Sequence, residues 1–144
     1  LPGRYTPSLL IPDLTELIEF HNVQDNIHFA GFVSDQELEK LFQESRVFVY
    51  PSRYEGFGLP ILEGMEAGVP VITSNIGAMK ETAGDAAILV DPYSVSSIAD
   101  GLEQVLSNPT LQTTYREKGQ KRAQEFTWEA TGKKTLKILE SVPK

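Results

Sequence analysis

One short segment limits the possible folds of this chain more than any other. Val47-Phe48-Val49-Tyr50 is apolar, β-branched and aromatic, which predicts a buried β-strand. A loop with two glycines follows, and Pro60 then opens a stretch with helical periodicity, where proline is favoured at the first position. A strand, a glycine-containing loop and a helix in this order indicate an α/β fold.

Two glutamates flank this loop, with Glu55 inside it and Glu63 in the first turns of the helix. Gly56 and Gly58 allow a ligand to approach the backbone closely. The helix N-terminus offers free N–H groups and the positive end of a dipole, which suit a phosphate. Carboxylates only accept hydrogen bonds, so they suit hydroxyl groups. A nucleotide sugar carries both kinds of group, and the segment therefore predicts a nucleotide-sugar site.

The same pattern has a simpler interpretation, which the sequence alone leaves open. Turns from a strand through glycine into a helix occur throughout α/β proteins. A glutamate in the first turns of a helix, such as Glu63, often serves only as a partner of the helix dipole.

Composition excludes several classes of function. The chain has 144 residues, enough for one domain with a core, and its net charge of −7 argues against a nucleic-acid-binding surface. The absence of cysteine excludes disulfides, thiolate zinc sites and cysteine nucleophiles, and fits a reducing, cytoplasmic compartment. The two histidines lack the spacing of metal ligands. Because the chain begins with Leu1 and not Met, we expect a fragment or a processed protein.

The rest of the chain alternates between patterns typical of strands and of helices. Further strands are predicted at Asn26–Ala30, Val69–Thr73 and Ala87–Val90. Helices are predicted at Pro12–Asn22, after a capping box at Ser34–Glu37, from Pro60 to about Gly68, at about Met79–Ala83, around Ile98–Leu106, from Pro109 and from about Trp128. This order implies a parallel sheet with helices on both faces, followed by a helical C-terminal extension.

Several segments match one enzyme family in order and spacing. They are Gly31–Leu38, Val49–Ser52, Glu55–Glu63, Ala67–Ile72, Gly84–Pro92 and Phe126–Trp128. With these segments the chain resembles, from about Leu9 to Leu139, the C-terminal half of a retaining group 1 (family 4) glycosyltransferase of the GT-B fold. The resemblance implies one Rossmann-like nucleotide-sugar-binding domain over residues 1–144, truncated at its N-terminus.

The resemblance also implies roles for individual residues. Glu55 faces hydroxyl groups of the donor sugar and is the catalytic candidate, while Glu63 takes the ribose hydroxyls. The donor-binding candidates are Gly56, Phe57, Gly58, Leu59, Glu63, Val33 and Ser34. Backbone N–H groups of the glycine loop meet the diphosphate or the sugar, and the backbone near Val33 and Ser34 lies at the base. No metal or other cofactor is implied.

The implied reaction transfers a sugar from a nucleotide-diphosphate sugar to a glycan or lipid-linked acceptor, with retention. The family's acceptor-binding half, two strands of its sheet and a basic residue pair that holds the diphosphate have no counterpart in this chain. We therefore expect the isolated chain to be inactive and to bind donor weakly, and either to self-associate through open strand edges or to have a loosened sheet. The alternative is a non-catalytic nucleotide-binding or scaffold module, since such folds host many functions. A peripheral membrane attachment of the full-length protein stays open.

Overall fold

The computed structural model describes residues 12–142, which fall into two compact units that divide after Leu38. The first unit contains helix α1 (Pro12–Phe20), a 3-10 turn (Gln24–Asn26) and the start of helix α2 (Asp35–Glu44). The predicted capping box opens α2, because Glu37 Oε2 accepts hydrogen bonds of 2.8 Å from both the N–H and the hydroxyl of Ser34. These bonds hold the pKa of Glu37 below its usual value.

The strand predicted at Asn26–Ala30 is wrong. Asn26 ends the 3-10 turn, and residues 27–30 have no regular secondary structure. A strand needs a hydrogen-bonded neighbour, and no strand in the described part of the chain pairs with this segment. Its apolar members Ile27 and Phe29 are accordingly 40% and 45% exposed.

The second unit is built on a parallel sheet of three strands. They are β1 (Phe48–Tyr50), β2 (Val71–Ser74) and β3 (Ile88–Val90), and they lie in the order β1-β2-β3. Helix α3 (Leu59–Glu66) connects β1 to β2, and helix α4 (Gly77–Ala83) connects β2 to β3. Val49 lies opposite Ile72, which in turn lies opposite Ile88. This register brings the carboxyl ends of all three strands to one edge of the sheet, which is where ligands bind in folds of this kind.

Helices cover both faces of this sheet, as predicted. Because side chains alternate along a strand, Val71 and Leu89 pack with Ile61 of α3 and Met79 of α4 on one face. On the other face, Ile72 packs with residues of helix α5 (Val95–Leu106), including Val105. The α/β, Rossmann-like fold class is confirmed. In the described residues β1 pairs only with β2, so its other edge has no strand beside it.

The helical C-terminal extension is also confirmed. Helices α5, α6 (Pro109–Ala123) and α7 (Trp128–Ser141) begin at N-cap side chains that accept a backbone N–H three residues on, namely Ser94, Asn108 and Thr127. Helix α6 passes from one face of the sheet to the other, since Tyr115 packs with the residues around Val105 of α5 and Ala123 packs with the residues around Ile61 of α3.

Between residues 12 and 142, none of the helices is long and apolar enough to cross a bilayer.

Candidate functional site

The loop between β1 and α3 is held from behind by the end of β2. Thr73 Oγ1 donates a hydrogen bond of 2.8 Å to the carbonyl of Tyr50, and Ser74 Oγ donates one of 2.5 Å to the carbonyl of Ser52. Both hydroxyls belong to fully buried residues. The backbone therefore leaves the sheet in a fixed direction, because the carbonyls of Tyr50 and Ser52 each have a buried donor.

Glu55 is oriented by two donors, one at the end of β1 and one in the loop. Tyr50 Oη donates to Glu55 Oε1 at 2.5 Å, and Ser52 Oγ donates to the same oxygen at 3.1 Å. The bond to the carboxylate, partial burial and the charge of Glu55 together raise the pKa of Tyr50. Among the described residues, Glu55 Oε2 has no hydrogen-bond partner. The side chain is thus fixed through one oxygen and offers the other to a ligand.

Gly58 adopts a left-handed backbone conformation and is the N-cap of α3. Its φ is +89°, in the left-handed region, and a Cβ there would lie 3.0 Å from Ile61 Cδ1. Helix α3 begins at Leu59, one residue earlier than predicted, so Pro60 stands in its first turn. The Ile61 N–H donates to the carbonyl of Gly58 at 3.0 Å, and Pro60 has no N–H.

In the described part of the chain, the backbone N–H groups of Phe57, Gly58 and Leu59 are unpaired at this turn. No described residue accepts a hydrogen bond from any of these three N–H groups. Unpaired N–H groups at the positive end of a helix favour an anion such as a phosphate. The turn therefore has the donors that an anion site needs, without a positively charged side chain among its own residues.

Glu63 lies in α3, as expected, and its side chain is exposed. In the part of the chain that the structure describes, its carboxylate has no hydrogen-bond or ion-pair partner. A carboxylate on the surface of α3, one turn beyond the N–H groups above, is free to accept hydrogen bonds from a ligand.

Val33 and Ser34 lie in the first unit, at the start of α2. The N–H and hydroxyl of Ser34 bind Glu37, and its carbonyl accepts from the Leu38 N–H at 2.9 Å. The polar groups of Ser34 are thus used for helix capping.

Sequence reasoning missed the hydroxyl groups that support this loop. Thr73 and Ser74 end an apolar strand, and polar residues at a buried strand end are the signal that was available. Thr82 gave no such signal, because its contact with the carbonyl of Phe57 spans 25 residues of sequence.

A cavity of about 380 Å³ borders the back of the glycine loop. Gly56, Phe57 and Thr82 are among the residues that line it, and neither Glu55 nor Glu63 does. The cavity is therefore not a place where one ligand could meet both glutamates.

Comparisons with known proteins point to one family. The family model described as glycosyl transferases group 1 matches residues 13–122. O-antigen chain mannosyltransferase B of Escherichia coli is 39% identical over 123 residues, which cover 85% of this chain and 32% of that protein. The chain thus spans about a third of the length of this curated relative.

Solved structures give the same result. Sucrose-phosphate synthase from Thermosynechococcus elongatus matches with a TM-score of 0.78 and 28% identity, over 91% of this chain and 35% of that one. The C-terminal domain of a group 1 glycosyl transferase from Francisella tularensis matches with a TM-score of 0.72 and 30% identity, over 83% of this chain and 64% of that one. The resemblance inferred from the sequence is confirmed, and the chain belongs to the group 1 family of glycosyl transferases.

Proposed function

We propose that this chain is the donor-binding part of a glycosyltransferase that moves a sugar from a nucleotide-diphosphate sugar to an acceptor, with retention of configuration. One observation carries the proposal: a carboxylate fixed by Tyr50 and Ser52 shares a loop with three unpaired N–H groups at the start of α3. Sugar transfer needs both features, because positive charge develops at the anomeric carbon and negative charge on the leaving diphosphate.

The unpaired N–H groups suit the diphosphate. The N–H groups of Phe57, Gly58 and Leu59 stand at the N-terminus of α3, where the helix dipole favours negative charge. Gly56 has open space where a Cβ would lie, whereas a Cβ at Gly58 would meet Ile61 Cδ1 at 3.0 Å. A phosphate can therefore approach the main chain closely, and the loop needs no reorganisation to bind it.

The two glutamates suit the hydroxyl groups of the donor. Glu55 Oε2 accepts from the sugar, while Oε1 stays bonded to Tyr50 and Ser52. Glu63 accepts from the ribose, one turn further along α3. The backbone near Val33 and Ser34, in the first unit, stays the candidate for contact with the base.

The proposed sugar and acceptor are taken from the name of a relative, because the geometry of the loop does not specify them. The name of the Escherichia coli relative makes mannose the first sugar to test, with an O-antigen glycan as the first acceptor.

No metal or other cofactor enters the proposal. A cytoplasmic location fits the absence of cysteine. The open edge of β1 makes self-association of the isolated 144-residue chain part of the proposal.

A transfer assay on the complete protein tests the proposal. A thermal-shift screen of nucleotide sugars first identifies the donor, since a ligand at ~100 times its Kd stabilises a protein by roughly 2.7 kcal/mol. Transfer is then followed with that donor, and the anomeric configuration of the product is read by NMR. We expect transfer with retention by the wild type and a loss of ~100-fold or more for Glu55→Ala, as for other removed charge-stabilising groups.

Three results would each contradict one part of this proposal. A wild type that binds a nucleotide sugar and transfers nothing to any acceptor would favour a binding module without chemistry. An inverted product would contradict retention. Unchanged transfer by Glu55→Ala would remove Glu55 from the reaction.

A further inference from the structure

Thr82 contacts the glycine loop from a distant part of the chain. Its Oγ1 donates a hydrogen bond of 2.6 Å to the carbonyl of Phe57, and its side chain is 3% exposed. We propose that Thr82 is a positioning residue that aims the Gly58 N–H at the diphosphate of the donor. The inference rests on the proposed function and assigns a role to a residue outside the loop.

The argument starts from the geometry of the peptide bond. The carbonyl of Phe57 and the N–H of Gly58 belong to one planar trans peptide, so they point in opposite directions. Thr82 holds the carbonyl toward α4. The Gly58 N–H must therefore point away from α4, on the side of the loop where no described residue accepts it. Rotation of this peptide would turn the N–H away and present a carbonyl oxygen to the phosphate.

Thr82 is itself held in place by Arg122, at the end of α6. Arg122 Nε donates to the carbonyl of Thr82 at 3.0 Å, and Nη2 donates to the carbonyl of Glu81 at 2.8 Å. These are among the last carbonyls of α4, which have no partner within the helix. One guanidinium group thus fixes the end of α4 that carries the Thr82 hydroxyl.

Arg122 is also linked to the ring of Phe57, through the ring of Phe126. Its guanidinium lies 4.7 Å from the centroid of the Phe126 ring, and Phe126 meets Phe57 edge-on at 5.7 Å between ring centroids. Phe57 is therefore held twice, at its carbonyl by Thr82 and at its ring by Phe126. This closed set of contacts leaves the peptide between Phe57 and Gly58 little freedom to rotate, which is what a preorganised anion site requires.

A purely structural role would predict something different. Loss of the Thr82 hydroxyl leaves the Phe57 carbonyl without its donor and lowers stability in either case. Only a positioning role also lowers the affinity for phosphates while it leaves the affinity for a nucleoside unchanged. The comparison of a nucleoside diphosphate with its nucleoside therefore separates the two roles.

The experiment is calorimetry on the complete protein, at a temperature where every variant is folded. The probes are whichever of ADP, GDP and UDP binds best, and the matching nucleoside. We expect Thr82→Val to weaken diphosphate binding by roughly tenfold or more, since hydrogen bonds to charged groups are strong. Thr82→Ser keeps the hydroxyl and should restore most of the affinity. Nucleoside binding should be the same in all three proteins.

Two further variants keep the test decisive. Arg122→Lys cannot span both α4 carbonyls and should lose diphosphate affinity in the same direction, by a smaller factor. Gly101→Ala lowers stability in α5, because its Cβ would lie 2.8 Å from Val90 Cγ1, and should leave both affinities unchanged. Diphosphate binding by Thr82→Val that equals the wild type would overturn the inference alone. A wild type that binds no nucleoside diphosphate would overturn the proposed function, and this inference with it.

Discussion

Tyr50 Oη donates a hydrogen bond to Glu55 Oε1 across 2.5 Å, so the last residue of β1 fixes a carboxylate five residues further along the chain. The sheet end and the loop are thereby joined through side chains as well as through the backbone. The charge of Glu55 favours the neutral, donating form of Tyr50. The pair therefore has a titration that can be measured without any ligand.

The first prediction concerns the pKa of Tyr50, which lies above the usual value of ~10. NMR of ring-labelled tyrosine should show a late-titrating signal that disappears in Tyr50→Phe. In Glu55→Gln the pKa of Tyr50 should fall toward the usual value, because the carboxylate is gone. A Tyr50 signal with the same pKa in the wild type and in Glu55→Gln would contradict the observed hydrogen bond.

A pH dependence of stability follows from the same pair. Because the folded state holds the Tyr50 proton more tightly than the unfolded state, this contribution is complete below pH ~10 and is lost as the pH rises through the folded pKa. The stability difference between the wild type and Tyr50→Phe, measured by urea unfolding, should shrink above pH ~10. A difference that stays constant to pH 11 would contradict the raised pKa.

Two glycines of the same loop should respond differently to a methyl group. Gly58→Ala places a Cβ 3.0 Å from Ile61 Cδ1 at a φ of +89°, and should cost about 1–2 kcal/mol of unfolding free energy. Gly56→Ala meets no atom within 4 Å and has no positive φ, so its stability should change by less than about 0.5 kcal/mol. Urea unfolding of both variants makes the comparison. Equal stability would show that the left-handed turn at Gly58 is not required.

A second glycine pair tests the packing of helices on the sheet. Gly101→Ala in α5 meets Val90 Cγ1 at 2.8 Å, so it should destabilise by about 1–3 kcal/mol through overpacking. Gly132→Ala in α7 meets nothing within 4 Å and should stabilise its helix by up to about 1 kcal/mol. Thermal unfolding followed by circular dichroism distinguishes the two. A stabilising Gly101→Ala would contradict the close contact between α5 and β3.

Local patterns in the sequence predicted most of the second unit. The apolar run at Val47–Tyr50 and, in the first unit, the capping box at Ser34–Glu37 each act over a few residues, so their signals are visible in the chain itself. The failure at Asn26–Ala30 has the opposite cause. Alternation favours an extended segment there, but strand formation depends on a neighbour that sequence pattern does not provide.

Local sequence patterns also could not predict the residues that hold the candidate site in place. Thr82 meets Phe57 across 25 residues of sequence, and Arg122 meets Thr82 across 40. Only the packing of α6 along α3 and of α4 behind the loop brings these groups together. The glutamates and glycines could be found because they lie within nine consecutive residues, whereas their supports could not.

Donor binding by Glu63 tests the central claim most directly, because the same helix supplies its control. Glu63 and Glu66 both lie exposed in α3, and Glu66 belongs to the last turn, away from the glycine loop. Calorimetry of the complete protein with its nucleotide sugar compares Glu63→Gln with Glu66→Gln. Glu63→Gln should lose about 1.5–3 kcal/mol of donor binding free energy with its charge-assisted bonds, with little change in stability, and Glu66→Gln should bind as the wild type does. Equal donor affinity in the wild type and both variants would contradict the claim that the segment from Glu55 to Glu63 binds the donor.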